Sequence, residues 1–215
     1  MNNAETMKKS LTIIFAALGW FAVLMQYYLI IENRVASVVE TTIRFFSFFT
    51  ILTNTLVAIY LTFKATKRAA TDAHFFDKPG VLTAIAVYIT IVGLVYQFVL
   101  RKIWEPAGLQ MLVDELLHSI MPVCVILFWF LYENKTAVAW RQLPSWIIYP
   151  LVYLVFILSR GALSGFYPYP FMDVSKLGLQ KVLVNGFFLL LLFLIFSALY
   201  VTIGKLIERR KRSVG

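Results

Sequence analysis

The sequence predicts an all-α, polytopic integral membrane protein, a six-helix transmembrane bundle with its N- and C-termini both on the inside. Of its 215 residues, 60% are hydrophobic and 14% are charged, and the mean hydropathy is +0.79. Soluble domains are about 45–50% apolar and about 25% charged, so this chain lacks the polar side chains that would cover a soluble surface. Long apolar runs recur along the chain, and most of them end at charged residues.

The predicted spans form a single transmembrane domain over residues 1–215. Crossing about 30 Å of hydrocarbon takes about 20 apolar residues in a helix. Two segments are less regular, because 112–132 begins with acidic residues and 145–158 is short and contains Pro150. A proline within a membrane helix predicts a kink, since neighbouring helices can satisfy the freed carbonyl. The six predicted spans are residues 11–31, 45–63, 80–100, 112–132, 145–158 and 182–204.

The distribution of basic residues predicts the orientation and the partners. The net charge is +9, and the Lys and Arg residues lie in short loops and a tail beside the apolar runs, outside any nucleic-acid-binding motif. Most of them fall on the side that holds both termini, which predicts that this side is cytoplasmic. The tail at 208–212 (ERRKR) is predicted to contact anionic lipid headgroups. We therefore expect membrane lipids as partners and no nucleic acid.

Few side chains in the sequence are suited to binding a metal. Cys124 is the only cysteine, so neither a disulfide within the chain nor a cysteine cluster can form. The two histidines are His74, in a polar loop, and His118, near the start of the fourth span. The sequence therefore predicts no metal and no cofactor.

Polar side chains mark one face of the second span. Ser47, Thr50 and Asn54 are spaced three and four residues apart, which places them on the same side of a continuous helix. Within a bilayer such groups bond to carbonyls of their own helix, hold helices together, or form a functional site. In the last case, Asn54 is a predicted hydrogen-bond donor to an oxyanion.

A histidine and two acidic residues open the fourth span. Glu115 lies one turn before His118, so its carboxylate is predicted to hold the imidazole in one tautomer. Asp114 is predicted to complement the helix dipole. In the predicted topology His118 lies near the outer end of its span, as do Ser47 and Thr50. A hydroxyl, a base and a group that orients the base are the components of nucleophilic acyl transfer. Thr50 or Ser47 is then the nucleophile and His118 the base.

The segment 160–173 between the last two spans is rich in aromatic residues. It contains two prolines and cannot form one regular helix. Tyr169 and Phe171 are predicted to cover the outer mouth of the bundle and to contact a substrate. The alternative is an interfacial loop whose tyrosines lie at headgroup level. Asn185, in the last span, is predicted to contribute to helix packing.

Three short motifs give the chain a family resemblance. They are residues 48–52 (FFTIL) in the second span, residues 117–119 (LHS) followed by Pro122 in the fourth, and residues 169–171 (YPF) before the last. In these motifs and their order, the chain resembles the androgen-induced and androgen-dependent TFPI-regulating protein family of six-helix membrane hydrolases. It is similar to a bacterial relative of that family, which implies a location in the bacterial cytoplasmic membrane.

The resemblance also implies an activity and two roles. Thr50 would be the nucleophile and His118 the base in the cleavage of fatty-acid esters of hydroxy fatty acids, without a metal. A shifted alignment places Ser47 on the family's threonine instead, with Arg44 on a nearby lysine.

The leading interpretation is an integral membrane lipid ester hydrolase that acts on a hydrophobic small-molecule substrate. The alternative is a transporter or lipid-binding protein without chemistry, in which Glu115 and His118 handle a proton or a cation. In a third interpretation the polar side chains only pack helices.

Overall fold

The computed structural model describes residues 3–67 and 75–214, so His74 and Arg68 lie outside the described residues. These residues contain helices and no strand, which confirms the all-α prediction. The chain divides into two compact units, Met1–Glu133 and Asn134–Gly215. The helices are α1 (Asn3–Glu32), α2 (Val38–Phe45), α3 (Phe49–Thr66), α4 (Val81–Phe98), α5 (Gly108–Glu115), α6 (Met121–Tyr132), α7 (Leu143–Ser164), α8 (Val174–Leu177) and α9 (Leu179–Val214).

Six helical segments among the described residues are long and apolar enough to cross a membrane, as predicted. Their surfaces are also apolar, as in α9, where Phe187 and Phe188 are each 61% exposed. Soluble monomers seldom expose large contiguous apolar surface. The fold is thus compatible with an integral membrane protein. The segments are Asn3–Glu32, Phe49–Thr66, Val81–Lys102, Gly108–Tyr132, Trp140–Ser164 and Leu179–Ser213.

The bounds of the fifth segment differ from the prediction. Helix α7 continues through Arg160 to Ser164, and the Arg160 guanidinium donates to the Ser164 hydroxyl one turn further along at 2.9 Å. Gly165 then ends the helix in the left-handed region, with φ of 69°. Pro150 lies within α7 without ending it. The sixth segment is longer than predicted as well, since α9 includes the basic tail.

Close helix contacts in the first unit depend on small residues. Helix α1 packs along α3, and a β-carbon added at Gly19 would lie 3.4 Å from the Ala58 β-carbon. Small side chains let helix backbones approach each other closely, which strengthens packing in an apolar solvent. A buried core that includes Phe45, Val113 and Leu117 lies near the end of α1.

A carboxylate from the end of α6 caps the start of α4. Glu133 Oε2 accepts hydrogen bonds from the Thr83 backbone N–H at 3.0 Å and from the Thr83 hydroxyl at 2.8 Å. The Trp129 indole donates to the same hydroxyl at 3.0 Å. A negative charge at a helix N-terminus satisfies otherwise unpaired N–H groups and complements the helix dipole. This cap aligns the end of α6 with the start of α4.

In the second unit α7 and α9 pack against each other. A β-carbon added at Gly186 of α9 would lie 3.1 Å from the Leu154 side chain of α7, so the missing side chain makes room for that leucine. Between the two helices the chain forms a short helical turn, Pro170–Met172, followed by α8.

Candidate functional site

A π-helical turn, Leu116–Ile120, separates α5 from α6 and carries His118. Pro122 has no N–H to donate to the His118 carbonyl, and the backbone N–H of Met121 bonds to the Leu116 carbonyl in the i→i−5 pattern. Helix α4 packs against this turn at Gly93, where an added β-carbon would lie 3.1 Å from the His118 carbonyl oxygen. Such turns often occur at functional sites in helices.

The His118 imidazole is held in one orientation. Its Nδ1 lies 2.9 Å from the Asp114 carbonyl oxygen and 3.4 Å from Asp114 Oδ1. A carbonyl oxygen only accepts, so Nδ1 carries the hydrogen and donates it, which leaves Nε2 unprotonated in the neutral ring. The Tyr96 ring stacks on the imidazole, with 4.2 Å between centroids and 14° between planes. The His118 side chain is 11% exposed, so the ring is nearly enclosed.

Asp114, and not Glu115, therefore contacts the imidazole, which corrects the predicted Glu115–His118 pairing. The reason is the helical register, because each carboxylate meets the residue four positions later: Asp114 meets His118, and Glu115 meets Ser119. The predicted dipole role of Asp114 also fails, since α5 begins at Gly108 and Asp114 lies near its other end.

Glu115 belongs instead to a closed ring of four polar side chains. Arg101 pairs with Glu115 Oε1 and donates to Gln97 Oε1 at 2.6 Å. Gln97 donates to the Ser119 hydroxyl at 2.7 Å, and that hydroxyl donates to Glu115 Oε2 at 2.5 Å. Each hydrogen-bond donor named in the ring meets an acceptor, so the four side chains bind one another. The ring fastens the end of α4 to the π-helical turn beside His118.

Asn54 links α3 to the same turn. It is fully buried, and its Nδ2 donates to the Thr50 carbonyl at 2.9 Å and to the Leu117 carbonyl at 3.2 Å. Both amide hydrogens are thus engaged by backbone carbonyls in this structure, and neither is directed at an open site. Its Oδ1 is buried and has no hydrogen-bond partner among the described residues. Asn54 brings the first turn of α3 next to the residue that precedes His118.

The two candidate nucleophiles occupy different environments. Thr50 is the second residue of α3 and is 7% exposed. Ser47 lies in the turn between α2 and α3, is 0% exposed, and donates its hydroxyl hydrogen to the Ile43 carbonyl at 2.7 Å. The predicted continuous face is wrong for Ser47, because Phe48 takes an extended conformation and interrupts the helix. Thr50 therefore lies on α3 with Asn54, whereas Ser47 lies before the helix begins.

Tyr169 and Phe171 belong to the second unit, whereas the groups described above belong to the first. Their rings stack with 5.2 Å between centroids and 8° between planes. Asn185 of α9 donates to the Phe171 carbonyl at 2.7 Å, so it anchors this loop in addition to any packing role. The Tyr167 ring lies over Gly161, where an added β-carbon would clash with it at 1.9 Å. The aromatic loop is therefore closely packed within its own unit.

Several residues of this site were missed by sequence reasoning. The i, i+4 spacing of Asp114 and His118 is visible in the sequence, but Glu115 offered an equally short spacing. Gln97 is an isolated amide in an apolar run, which in a membrane helix is itself an indication of a polar contact. Tyr96 gives no signal, because aromatic residues are common throughout this chain.

Comparison with known proteins identifies no relative. No protein-family model, no curated protein and no solved structure matches the chain. Within residues 3–67 and 75–214, no group of three or more His, Cys, Asp and Glu side chains is arranged to hold a metal ion. The function is therefore inferred from the His118 site itself.

Proposed function

We propose that the chain is an integral membrane lipid ester hydrolase in which Thr50 is the nucleophile and His118 the general base. The orientation of the His118 ring is the observation that carries the proposal, because Nδ1 is bound by Asp114 and Nε2 is left unprotonated. A buried imidazole fixed in this way is suited to accept a proton from a hydroxyl.

The first step is acyl transfer to the enzyme. His118 Nε2 takes the proton of the Thr50 hydroxyl as Oγ1 attacks the ester carbonyl carbon. The tetrahedral intermediate collapses, the carbon–oxygen bond to the alcohol breaks, and the imidazolium returns the proton to the departing alkoxide. Asp114 stabilises the imidazolium through its carbonyl and its carboxylate.

In the second step water replaces the alcohol. His118 Nε2 accepts a proton from water as the water oxygen attacks the acyl–threonine ester. The bond between the acyl carbon and Thr50 Oγ1 then breaks, the imidazolium returns the proton to Oγ1, and a carboxylic acid is released. The proposed substrate is a fatty-acid-ester-type lipid, which fits the apolar surfaces of the helices. No metal takes part in this scheme, and Glu115 supports the site through Arg101 and Ser119.

The membrane setting is part of the same proposal. Both termini lie on the cytoplasmic side, which the excess of Lys and Arg on that side supports. The resemblance in the three motifs favours a bacterial cytoplasmic membrane. Under this topology Thr50 and His118 lie in the outer half of the bilayer, where a lipid ester enters from the side.

A ligand-binding or transport role without chemistry is the second candidate. The buried Oδ1 of Asn54 has no partner among the described residues, and an unpaired buried acceptor costs stability unless a donor reaches it. A bound ligand with an N–H or O–H group would supply that donor. This candidate requires binding without turnover.

The test is hydrolysis of hydrophobic p-nitrophenyl and monoacylglycerol esters by the purified protein in detergent. Wild type should release product, and His118→Ala and Thr50→Ala should lose at least about 100-fold in kcat/KM, as expected when a base or a nucleophile is removed. Thr50→Ser should retain activity because it keeps the hydroxyl. His74→Ala is the matched control for loss of a histidine and should match wild type. Failure of wild type to cleave any ester, together with stoichiometric binding of the uncleaved monoacylglycerol, would favour the second candidate.

A further inference from the structure

The second unit contains a basic cavity at the end of α9. Its volume is about 190 Å³. Four cationic side chains surround it, together with a hydroxyl and a single carboxylate. The lining residues are Lys135, Thr136, Lys205, Glu208, Arg209 and Arg212.

One face of α9 forms one wall of this cavity. Lys205, Glu208, Arg209 and Arg212 follow the i, i+3, i+4, i+7 spacing that places side chains on the same side of a helix. Arg210 and Lys211 of the same tail do not line the cavity. The site is thus a property of one helix face, whereas the sequence predicted a lipid contact along the whole tail.

The short turn Lys135–Ala137 forms the opposite wall. Lys135 is only 4% exposed, and its aliphatic stem lies over Gly204 of α9, where an added β-carbon would be 3.5 Å from the Lys135 β-carbon. The Lys135 stem therefore packs directly against α9 at Gly204. A nearly buried lysine is thus brought to the cavity from outside the helix.

The charges of the cavity favour an anion. Lys205 and Arg209 are like-charged neighbours one turn apart, an arrangement that destabilises a helix when no counter-charge is present. Glu208, the only carboxylate in the lining, also lies 3.5 Å from Lys211. Cations near a helix C-terminus complement the dipole, and Lys135 adds a fourth cationic side chain to the lining from a separate turn.

The chemistry of the lining suits a phosphate group. Guanidinium groups bind phosphate oxygens in pairs, and an ammonium group and a hydroxyl add further donors. The cavity lies where the apolar part of α9 ends at Gly204 and Lys205. Trp140, which is 48% exposed at the start of the Trp140–Ser164 segment, is a residue type that marks headgroup level.

We infer that this cavity binds the phosphate headgroup of an anionic phospholipid. The inference rests on the proposed membrane insertion and is independent of the hydrolase chemistry at His118. Binding is expected to prefer phosphatidylglycerol over the zwitterionic phosphatidylcholine, because the net positive lining repels the choline ammonium group.

Native mass spectrometry of the full-length protein in a mild detergent tests the inference. Wild type is mixed with equal amounts of phosphatidylglycerol and phosphatidylcholine, and the lipid that stays bound is counted. We expect preferential retention of phosphatidylglycerol. Arg209→Gln should weaken it about fivefold, the contribution of one basic residue at an anionic surface. Arg210→Gln removes the same charge from the neighbouring position outside the cavity and should have less than half that effect.

Three outcomes would overturn the inference. Equal retention of both lipids by wild type would remove the headgroup preference, and equal losses in Arg209→Gln and Arg210→Gln would assign binding to the tail charge as a whole. Displacement of the lipid by an equal concentration of inorganic phosphate would make free phosphate the ligand. Lys135→Gln is the second variant. If replacing the buried Lys135 impairs folding, the test still stands on Arg209→Gln, because Arg209 is exposed. Ester hydrolysis is not measured, so failure of the proposed activity would leave this result unaffected.

Discussion

Replacing Asp114 by Asn should reduce catalysis while leaving the fold intact. The variant keeps the backbone carbonyl that lies 2.9 Å from His118 Nδ1 and removes only the carboxylate charge, whose Oδ1 is 3.4 Å from the same atom. Two unit charges at that distance interact by about 5 kcal/mol at an effective dielectric constant of about 20. This energy stabilises the imidazolium that forms as Thr50 attacks.

About 1.4 kcal/mol corresponds to tenfold in rate, so the full interaction amounts to an upper limit of about 10³- to 10⁴-fold in kcat. We expect Asp114→Asn to lose between about 10²- and 10⁴-fold, with little change in KM, in a continuous assay of ester hydrolysis in detergent. Glu105→Gln removes the same charge from an exposed position just before α5 and should stay within about twofold of wild type. Activity of Asp114→Asn within threefold of wild type, alongside an inactive His118→Ala, would refute the proposed role of the carboxylate.

Three further predictions concern stability and the shape of the site. Glu115→Gln should lower the free energy of unfolding by about 1–2 kcal/mol in thermal unfolding, because it weakens the polar ring beside His118. Gly93→Ala should destabilise by about 1–3 kcal/mol and also reduce hydrolysis, since its β-carbon would press on the π-helical turn, whereas Gly204→Ala meets only ordinary contacts at 3.5 Å. Hydrogen bonds from two lysines lower the pKa of Asp77, so its stabilising contribution is present above about pH 4 and is lost as the pH falls below that value. Asp77→Asn should remove this part of the acid dependence of Tm.

Each of these predictions has an outcome that contradicts it. An unchanged Tm for Glu115→Gln would mean that the ring carries no net stability. Equal Tm values for Gly93→Ala and Gly204→Ala would show that the close approach of α4 does not shape the turn. An acid dependence of Tm in Asp77→Asn identical to that of wild type would remove Asp77 from the set of groups that respond to acid.

The sequence predicts the helical architecture, but it does not predict where the helices are interrupted. The long apolar runs form the six helical segments because, in an apolar solvent, a backbone must satisfy its own hydrogen bonds, and a helix does so. The interruption at Phe48, however, arises from a single extended residue within an apolar run, and its neighbours give no turn signal. The spacing alone consequently predicts Ser47 on the face of α3, although Ser47 lies in the preceding turn.

The site was predictable in its residue types but not in its register. Polar side chains in apolar segments identify Thr50, Asn54 and His118. His118 lies on the π-helical turn, and Thr50 and Asn54 lie on α3, which Asn54 bonds to that turn. The choice between Asp114 and Glu115 depends on the helical register, because both lie about one turn before His118 and only the residue four positions earlier contacts it. The cavity around Lys135 was not visible, because it requires knowing which loop packs on which helix face.

The most direct test of the hydrolase is to locate the covalent adduct. Purified protein is treated with a lipophilic fluorophosphonate, digested, and mapped by tandem mass spectrometry, with wild type compared with Thr50→Ala, Ser47→Ala and His118→Ala. We predict a phosphonyl group on Thr50 that persists in Ser47→Ala and disappears in His118→Ala. An adduct on Ser47, or an unlabelled Thr50 in a protein that still cleaves esters, would contradict it.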